Sequence, residues 1–281
     1  MASVGIVGYG IVGKAVEYGF NVSGNSIRWY DKFKPSDSLE NVVNTSEFIF
    51  VCLPTPISET KNRIDLSILN ENIAQIAQLV VSHERRRDKV IVVKSTVVPG
   101  TTRGYAQQYS ECRFCFNPEF LTEANYLQDF VAADRHVIGA DNDKTRLMVI
   151  DLYRDRFPKT QIFATDLTTA EMIKYMANAD LSTQVIIGNE FYELCQGLGV
   201  AYDVVRQVVE ADPRIGKHHR VPGPDGDFGF GGKCLPKDLG AIIGCFEDNG
   251  VDASVLKAVR EKNLKVRRIR DWEDIPGAKS D

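Results

Sequence analysis

An apolar run, Ser3–Val7, passes straight into Gly8-Tyr9-Gly10-Ile11-Val12-Gly13, which opens a helix pattern reaching Phe20. A second strand pattern, Ile27–Tyr30, ends in Asp31. Strand, G-x-G-x-x-G, helix, strand and acid, in this order and at this separation, constrain the N-terminal half to a βαβ unit that binds a dinucleotide. Gly8 makes the tight turn, Gly10 lets the backbone approach a pyrophosphate, and Gly13 lets the helix pack on the strand. Asp31 is placed to accept hydrogen bonds from the adenosine ribose and would repel a 2′-phosphate, which favours NAD over NADP; Lys32 and Lys34 follow closely and work against that preference. The candidate cofactor contacts here are Gly8, Tyr9, Gly10, Ile11, Val12, Gly13, Asp31 and Lys32.

The alternation continues. Phe48–Cys52 reads as a strand running into Leu53-Pro54-Thr55-Pro56, a segment that cannot be helical. Leu66–Val81 has helical periodicity, Val90–Val93 is a buried strand ending in Lys94-Ser95-Thr96, and Pro99 opens another helix. Cys112–Phe116 is a strand ending in Asn117-Pro118-Glu119; His136–Ile138 and Gln161–Ala164 flank a helix at Lys144–Phe157. Such alternation predicts a doubly wound, Rossmann-type parallel sheet, with ligands at the carboxyl ends of its strands. Cys112-x-x-Cys115 lies within a strand pattern and has no second pair, so it reads as core. Glu84–Lys89 reads as a solvated loop.

From Thr168 to Gly197 the pattern is one long helix, with Thr168 as cap and Glu171 as the acid of a capping box. Glu171, Lys174 and Asn178 share a face; an ion pair Glu171–Lys174 on a solvated face and a Lys/Asn pair aimed into a cleft are both compatible with that. Tyr202–Glu210 is a second helix, followed by Asp212-Pro213-Arg214-Ile215-Gly216 and a loop in which His218 and His219 are expected at the surface. Phe228–Asp238 then reads FGFGGKCLPKD. Pro236 suits a first helical turn, which puts Cys234 just ahead of a helix N-terminus, where a thiolate is stabilised. Lys237 adds a cation and Asp238 a carboxylate. A nucleophile and a buried small hydrophobe before an ordinary helix are the two readings of Cys234. Helix patterns at Leu239–Asp248 and Ala253–Ile269 close the chain, the last strongly basic on one side.

With 281 residues, 34 Lys and Arg against 38 Asp and Glu, and 43% hydrophobic residues, the chain reads as a soluble two-domain protein. A net charge of −4 gives no general attraction to nucleic acid or to anionic membrane, and no apolar run approaches the length of a bilayer span. The six cysteines are irregularly spaced, with no disulfide framework and no zinc-site pairing with the four histidines, so no metal and a cytoplasmic location are expected.

Taken together, Gly8–Gly13, Leu53–Pro56, Lys94–Val97, Asn117–Glu123, Glu171-x-x-Lys174-x-x-x-Asn178, Asp212-x-Arg214-Ile215-Gly216 and Gly229–Asp238 resemble the ordered blocks of the nucleotide-sugar dehydrogenases, the UDP-glucose and GDP-mannose 6-dehydrogenase family. The resemblance implies NAD-dependent oxidation of a sugar primary alcohol to a carboxylate through a Cys234 thiohemiacetal and thioester. It implies Lys174 and Asn178 stabilising oxyanion charge, Glu119 and Asp238 steering protons and water, and Thr96 holding that water. Leu53, Pro54, Thr55, Thr96 and Glu123 would contact the cofactor. Phe120, Leu121, Lys174, Asn178, Arg214, Gly231 and Lys237 would contact a nucleotide-sugar substrate. Domains are expected at 1–166 (NAD-binding), 167–270 (all-α, dimerising through helix 168–197) and 271–281 (tail). By this resemblance the family's third, nucleotide-binding domain is expected to be missing, Ala124 stands where the family often has glycine, Lys233 replaces a small residue, and the loop Val221–Asp227 is expected to be longer than usual. Two other functions fit the same segments: a two-domain dehydrogenase of a smaller hydroxyl substrate, and a truncated, non-catalytic NAD-binding relative.

Overall fold

The computed structural model describes residues 2–22, 24–58, 62–275 and 278–280. They divide into two compact units, residues 1–55 with 66–174, and residues 56–65 with 175–281.

The first unit is built on seven strands: β1 (Ser3–Val7), β2 (Ser26–Tyr30), β3 (Phe48–Val51), β6 (Val90–Val93), β7 (Phe114–Phe116), β8 (Arg135–Gly139) and β9 (Gln161–Thr165), in spatial order β2-β1-β3-β6-β7-β8-β9. Burial follows the pleat. Ile49, Val51, Ile91, Val93, Phe114 and Phe116 pack on one face, against Val42 and Val43 of helix α2 (Leu39–Thr45) and Leu69, Ile73 and Ile76 of α3 (Ser67–Ser82). Phe48, Phe50, Val90, Val92 and Cys115 pack on the other, against Val16 and Phe20 of α1 (Ile11–Phe20) and Val149 and Tyr153 of α6 (Asp143–Arg156). Both faces are covered, which is why the central strands read as unbroken apolar runs.

The sheet is parallel except at β7–β8, which pair antiparallel through Phe116 and Gly139. The connection between them contains only the six-residue helix α5 (Tyr126–Val131). Six helical residues span about 9 Å, too little to carry the chain back along the sheet as a crossover does. β8 therefore starts at the end where β7 stops. Cys112 and Cys115 are both buried thiols, Cys115 within β7. The charged run 84–89 is not wholly solvated: Lys89 is buried, and its Nζ donates to the carbonyls of Val43, Asn44 and Ser46, at the C-terminal end of α2. A cation there satisfies orphan carbonyls and favours the helix dipole.

Helix α7 (Leu167–Leu198) starts one residue before the expected position. Its start is capped by Asp166, whose carboxylate accepts from Thr169 N at 3.1 Å; the Thr168 hydroxyl has no partner among the described residues. Glu171 is not part of a capping box. Its carboxylate accepts from Gly100 N (2.6 Å) and Thr102 N (2.8 Å), capping the neighbouring helix α4 (Thr101–Gln108) from outside. The expected helix start at Pro99 thus falls at Thr101.

Burial, partly opposed by the Thr102 and Gly100 hydrogen bonds, pushes the Glu171 pKa up to about 7. A carboxyl with a raised folded pKa keeps its proton in the folded chain where the unfolded chain has released it. Its contribution to stability is then fully present at acid pH and falls as pH rises from about 4 to about 7. Urea midpoints between pH 5 and 8 are expected to show a loss of about 2 kcal/mol that Glu171→Gln removes.

The second unit is helical with one small hairpin, β4 (Ile57–Ser58) and β5 (Arg63–Ile64). Helices α8 (Tyr202–Val209), α9 (Leu235–Asp248) and α10 (Ser254–Val266) join the later part of α7. Ile186, Phe230, Leu239, Ile243, Ala253 and Val259 form its main cluster. The described residues after 270 are packed rather than trailing: Asp271–Glu273 forms a 3₁₀ turn, Trp272 is buried, and Ile57 N donates to Ala278 O at 3.0 Å. His219 is not fully at the surface either; its imidazole is half-buried, 3.5 Å from Glu210. No helix among the described residues is long and apolar enough to cross a membrane.

Candidate active site

The glycine turn Gly8–Gly13 sits at the carboxyl end of β1. Gly8 has φ +92°, and a Cβ there would meet Cys52 O at 2.5 Å, so only glycine closes this turn. A Cβ on Gly13 would meet Gly8 O at 2.2 Å, which holds the start of α1 against the strand. At Gly10 nothing among the described residues lies within 4 Å of that position, and none of their side chains caps the first turn of α1. Free N–H groups beside an open approach suit a pyrophosphate. Tyr9 stacks on Trp29 with ring centroids 4.0 Å apart, and its N–H donates to Asp31 Oδ2 at 2.9 Å. Asp31 also accepts from Phe33 N at 3.0 Å and lies 3.5 Å from Lys34. Burial works against its ionisation, but these N–H groups and the Lys34 ammonium hold its carboxyl below the usual range. Lys32 is exposed, as are Ile11 and Pro54. These groups fit a dinucleotide whose ribose meets a carboxylate at position 31.

Along the same sheet edge, Thr55 Oγ1 donates to Thr96 O (2.8 Å), and Ser95 Oγ both accepts from Leu53 N (2.9 Å) and donates to Leu53 O (2.8 Å), tying the loops after β3 and β6 together. Glu119 follows β7. Its Oε1 lies 3.0 Å from Lys174 Nζ, and Leu121 N donates to Oε2 at 2.8 Å. Lys174 therefore pairs with Glu119, not with Glu171. Burial raises the cost of the Glu119 charge, yet Lys174 and the Leu121 N–H hold its pKa below the usual carboxylate range. Phe120 lies under two cations, 4.3 Å from Arg135 and 5.5 Å from Lys174. Glu123 is exposed on the following turn.

One buried polar network here joins Lys94 and Asn117, which the sequence placed in blocks at strand ends without giving either a role. Lys94 Nζ donates to Asn117 O (3.2 Å) and Oδ1 (2.6 Å), Asn117 Nδ2 donates to Val137 O (2.8 Å), and Tyr153 OH donates to Asn117 Oδ1 (2.5 Å). Burial pushes the Lys94 pKa down to about 8, although Cys52 and Glu119 favour its charge. A lysine directly after the apolar strand β6 was the available signal; its reach to Asn117 depends on β6–β7 pairing.

In the second unit Cys234 is the N-cap residue of α9 and is exposed, with Pro236 in the first turn. Asp238, one turn on, is 1% exposed. Its Oδ2 accepts from Asn178 Nδ2 at 2.6 Å and its Oδ1 lies 2.6 Å from Lys237 Nζ. A carboxylate held by an amide and an ammonium is thus fixed four residues from the thiol. Arg214 stands apart from this group; it is highly exposed and pairs with Asp212 of its own loop. Among the described residues no group of three or more His, Cys, Asp or Glu side chains is arranged to hold a metal.

A glycine-turn sheet carrying a buried Lys–Glu pair, with a helical unit carrying a cysteine at a helix start, defines a dehydrogenase architecture of the nucleotide-sugar type. The chain belongs to the UDP-glucose/GDP-mannose dehydrogenase family: the family's NAD binding domain matches residues 16–156 and its central domain residues 168–265. It is 33% identical over 242 residues to the UDP-glucose 6-dehydrogenase of Rickettsia bellii, covering 83% of this chain and 53% of that protein. It is 31% identical over 239 residues to a UDP-glucose 6-dehydrogenase of Bacillus subtilis, covering 83% and 49%. The chain thus spans about half the length of these relatives. A UDP-glucose dehydrogenase structure from Pyrobaculum islandicum superimposes with a TM-score of 0.83 at 28% identity, over 94% of this chain and 68% of that one. A Mycobacterium tuberculosis 3-hydroxyisobutyrate dehydrogenase shares the fold at a TM-score of 0.74 and 15% identity, over 94% and 93%.

Proposed function

We propose that this chain is an NAD-dependent nucleotide-sugar 6-dehydrogenase, oxidising the C6 primary alcohol of a UDP-glucose-like substrate to the carboxylate. The observation that carries this reading is Cys234 at the start of α9 with Asp238, one turn on, buried and held by Asn178 and Lys237. Residues 1–166 would hold NAD through Gly8–Gly13, Asp31, Lys32, Leu53–Thr55, Thr96 and Glu123. Residues 167–270 would supply the nucleophile.

Bound NAD supplies a hydride acceptor for each of two oxidations. Lys174 and Asn178 steady the sugar oxygen as it loses its proton and the alcohol becomes an aldehyde. The Cys234 thiolate adds to the aldehyde carbon, and the resulting oxyanion takes a proton to give a thiohemiacetal, which again carries a removable hydrogen on carbon. Its oxidation leaves a thioester. Water, held by Thr96 and deprotonated with the help of Asp238 or Glu119, adds to the thioester carbonyl; the C–S bond breaks, and carboxylate and thiol result. Phe120, Leu121, Arg214, Gly231 and Lys237 would contact the substrate. A homodimer through helix 168–197 is supported by the exposed stripe Ile187, Phe191, Leu194 and Leu198, at helical spacing on α7.

The full-length likeness to a 3-hydroxyisobutyrate dehydrogenase supports a second reading, a two-domain dehydrogenase of a smaller hydroxyl substrate. Such a reaction needs no thiol. NADH formation with a panel of UDP- and GDP-sugars separates the two. Two NADH per sugar are expected from the UDP-glucose class; turnover of a small hydroxy acid alone, unaffected by Cys234→Ser, would replace the first reading by the second.

A further inference from the structure

Three glycines, Gly229, Gly231 and Gly232, precede Cys234. Glycine-rich backbone is the least ordered platform for a nucleophile, because it loses most conformational freedom on being fixed. Here it is held by side chains from three other segments. Asn189 Oδ1 accepts from Gly229 N (3.0 Å), and Asn263 accepts from Phe230 N (2.8 Å) while donating to Phe230 O (3.0 Å). The last hold is Asp271, whose two carboxylate oxygens take Gly232 N at 3.1 and 3.0 Å.

Asp271 is itself braced. Arg267, with only 3% of its side chain exposed, lies 3.3 Å from Asp271 Oδ1 and is fixed by Asp225 (2.6 Å) and Asp227 (3.4 Å). The pair also explains the glycine at 231: a Cβ there would lie 2.1 Å from Arg267 Nη2 and 2.4 Å from Asp271 Oδ1. Loop and brace are mutually fitted, and the brace lies in a segment that composition marks only as a basic helix end and a tail.

We propose that Asp271, backed by Arg267, is a positioning residue for Cys234. It pins Gly232, which has φ +74°, two residues ahead of the thiol, and so keeps Sγ at the N-terminus of α9, where the thiolate is stabilised. The inference rests on the reading of Cys234 as nucleophile, but its first two readouts do not require turnover.

The test compares the full chain with Asp271→Ala, Asp271→Asn and, as a control, Glu273→Gln, a neighbour whose carboxylate lies 3.8 Å from Arg270 and 3.9 Å from Lys279. Amide hydrogen exchange over 229–234 and iodoacetamide alkylation of Cys234 at pH 7, followed by peptide mass, are measured on each. Exchange in the loop is expected to rise about tenfold or more, and alkylation to slow about threefold, in Asp271→Ala. Asp271→Asn, which keeps the shape but offers one neutral acceptor, falls between, and Glu273→Gln matches the parent. Where nucleotide sugar is turned over, kcat falls about tenfold with KM nearly unchanged, the mark of lost positioning rather than lost binding. Parent-like exchange and alkylation in both Asp271 variants overturn the proposal, as does a kcat loss with neither readout altered. Absence of turnover in the parent chain overturns the functional reading alone, because the loop and thiol readouts still decide the role of Asp271.

Discussion

Cys234→Ser is expected to abolish carboxylate formation, with net turnover down roughly a thousandfold or more. The substitution changes one atom, and the reason for the size of its effect is chemical. At neutral pH a helix N-terminus can hold a thiol largely ionised, whereas a hydroxyl in the same place stays protonated and adds weakly to an aldehyde. The chain's other five cysteines are all buried or half-buried. Burial pushes the Cys52 and Cys115 thiols up to about 12 and Cys112 up to about 11, while Cys234 is exposed. Iodoacetamide should therefore label Cys234 first and remove activity in step with that label. NADH stoichiometry gives the second check: two per sugar in the parent chain and no more than one in the variant. A variant that still forms acid at the parent rate would remove Cys234 from the mechanism.

How much was legible in advance depended on how local the physics was. The strand–turn–helix unit at Gly8–Gly13 is encoded within about thirty residues, and its acid, Asp31, closes on Tyr9 N of the same turn. Cys234 as a helix start was legible because Pro236 and the glycines before it are local punctuation. What was not legible are partners chosen by tertiary packing. Glu171 and Lys174 sit three residues apart and read as a pair, yet each finds its partner elsewhere, Glu171 at the N-terminus of α4 and Lys174 at Glu119. The capping-box pattern was equally compatible with a helix starting at Thr168, but Asp166, just outside it, took the cap. Lys89 and Arg267 sit in charged runs that composition assigns to solvent; both are buried because carbonyls or carboxylates from remote segments converge on them. The antiparallel turn of β8 likewise depends on the length of α5, which the alternation of strands and helices does not report.

The Lys174–Glu119 pair carries the second large expectation. Lys174→Met keeps the length and apolar stem of the side chain but removes the ammonium 3.0 Å from a carboxylate that is itself 10% exposed. Breaking a buried pair from one side leaves an uncompensated charge, at a cost of roughly 3–5 kcal/mol near neutral pH. Glu119 can escape that cost only by taking up a proton. In the parent chain its folded pKa is held low, so its contribution to stability is present above the unfolded value and is lost as pH falls through the folded one. In Lys174→Met the sign reverses: with the pKa raised by burial, the variant should be least stable at neutral pH and recover progressively as pH falls toward the unfolded carboxylate value of about 4. Glu119→Gln in the same background removes the charge that needs the partner, so the double variant should be more stable at pH 7 than Lys174→Met. Urea midpoints of the parent chain, Lys174→Met and the double variant at pH 5 and pH 7 test this directly. Activity is expected to show no such rescue, because the double variant lacks both groups to which the proposed mechanism gives a part, the Lys174 ammonium at the sugar oxygen and the Glu119 carboxylate in proton transfer. A double variant no more stable than Lys174→Met at pH 7 would mean that the ion pair is not what holds Glu119 ionised, and the proton role assigned to it would fall with that.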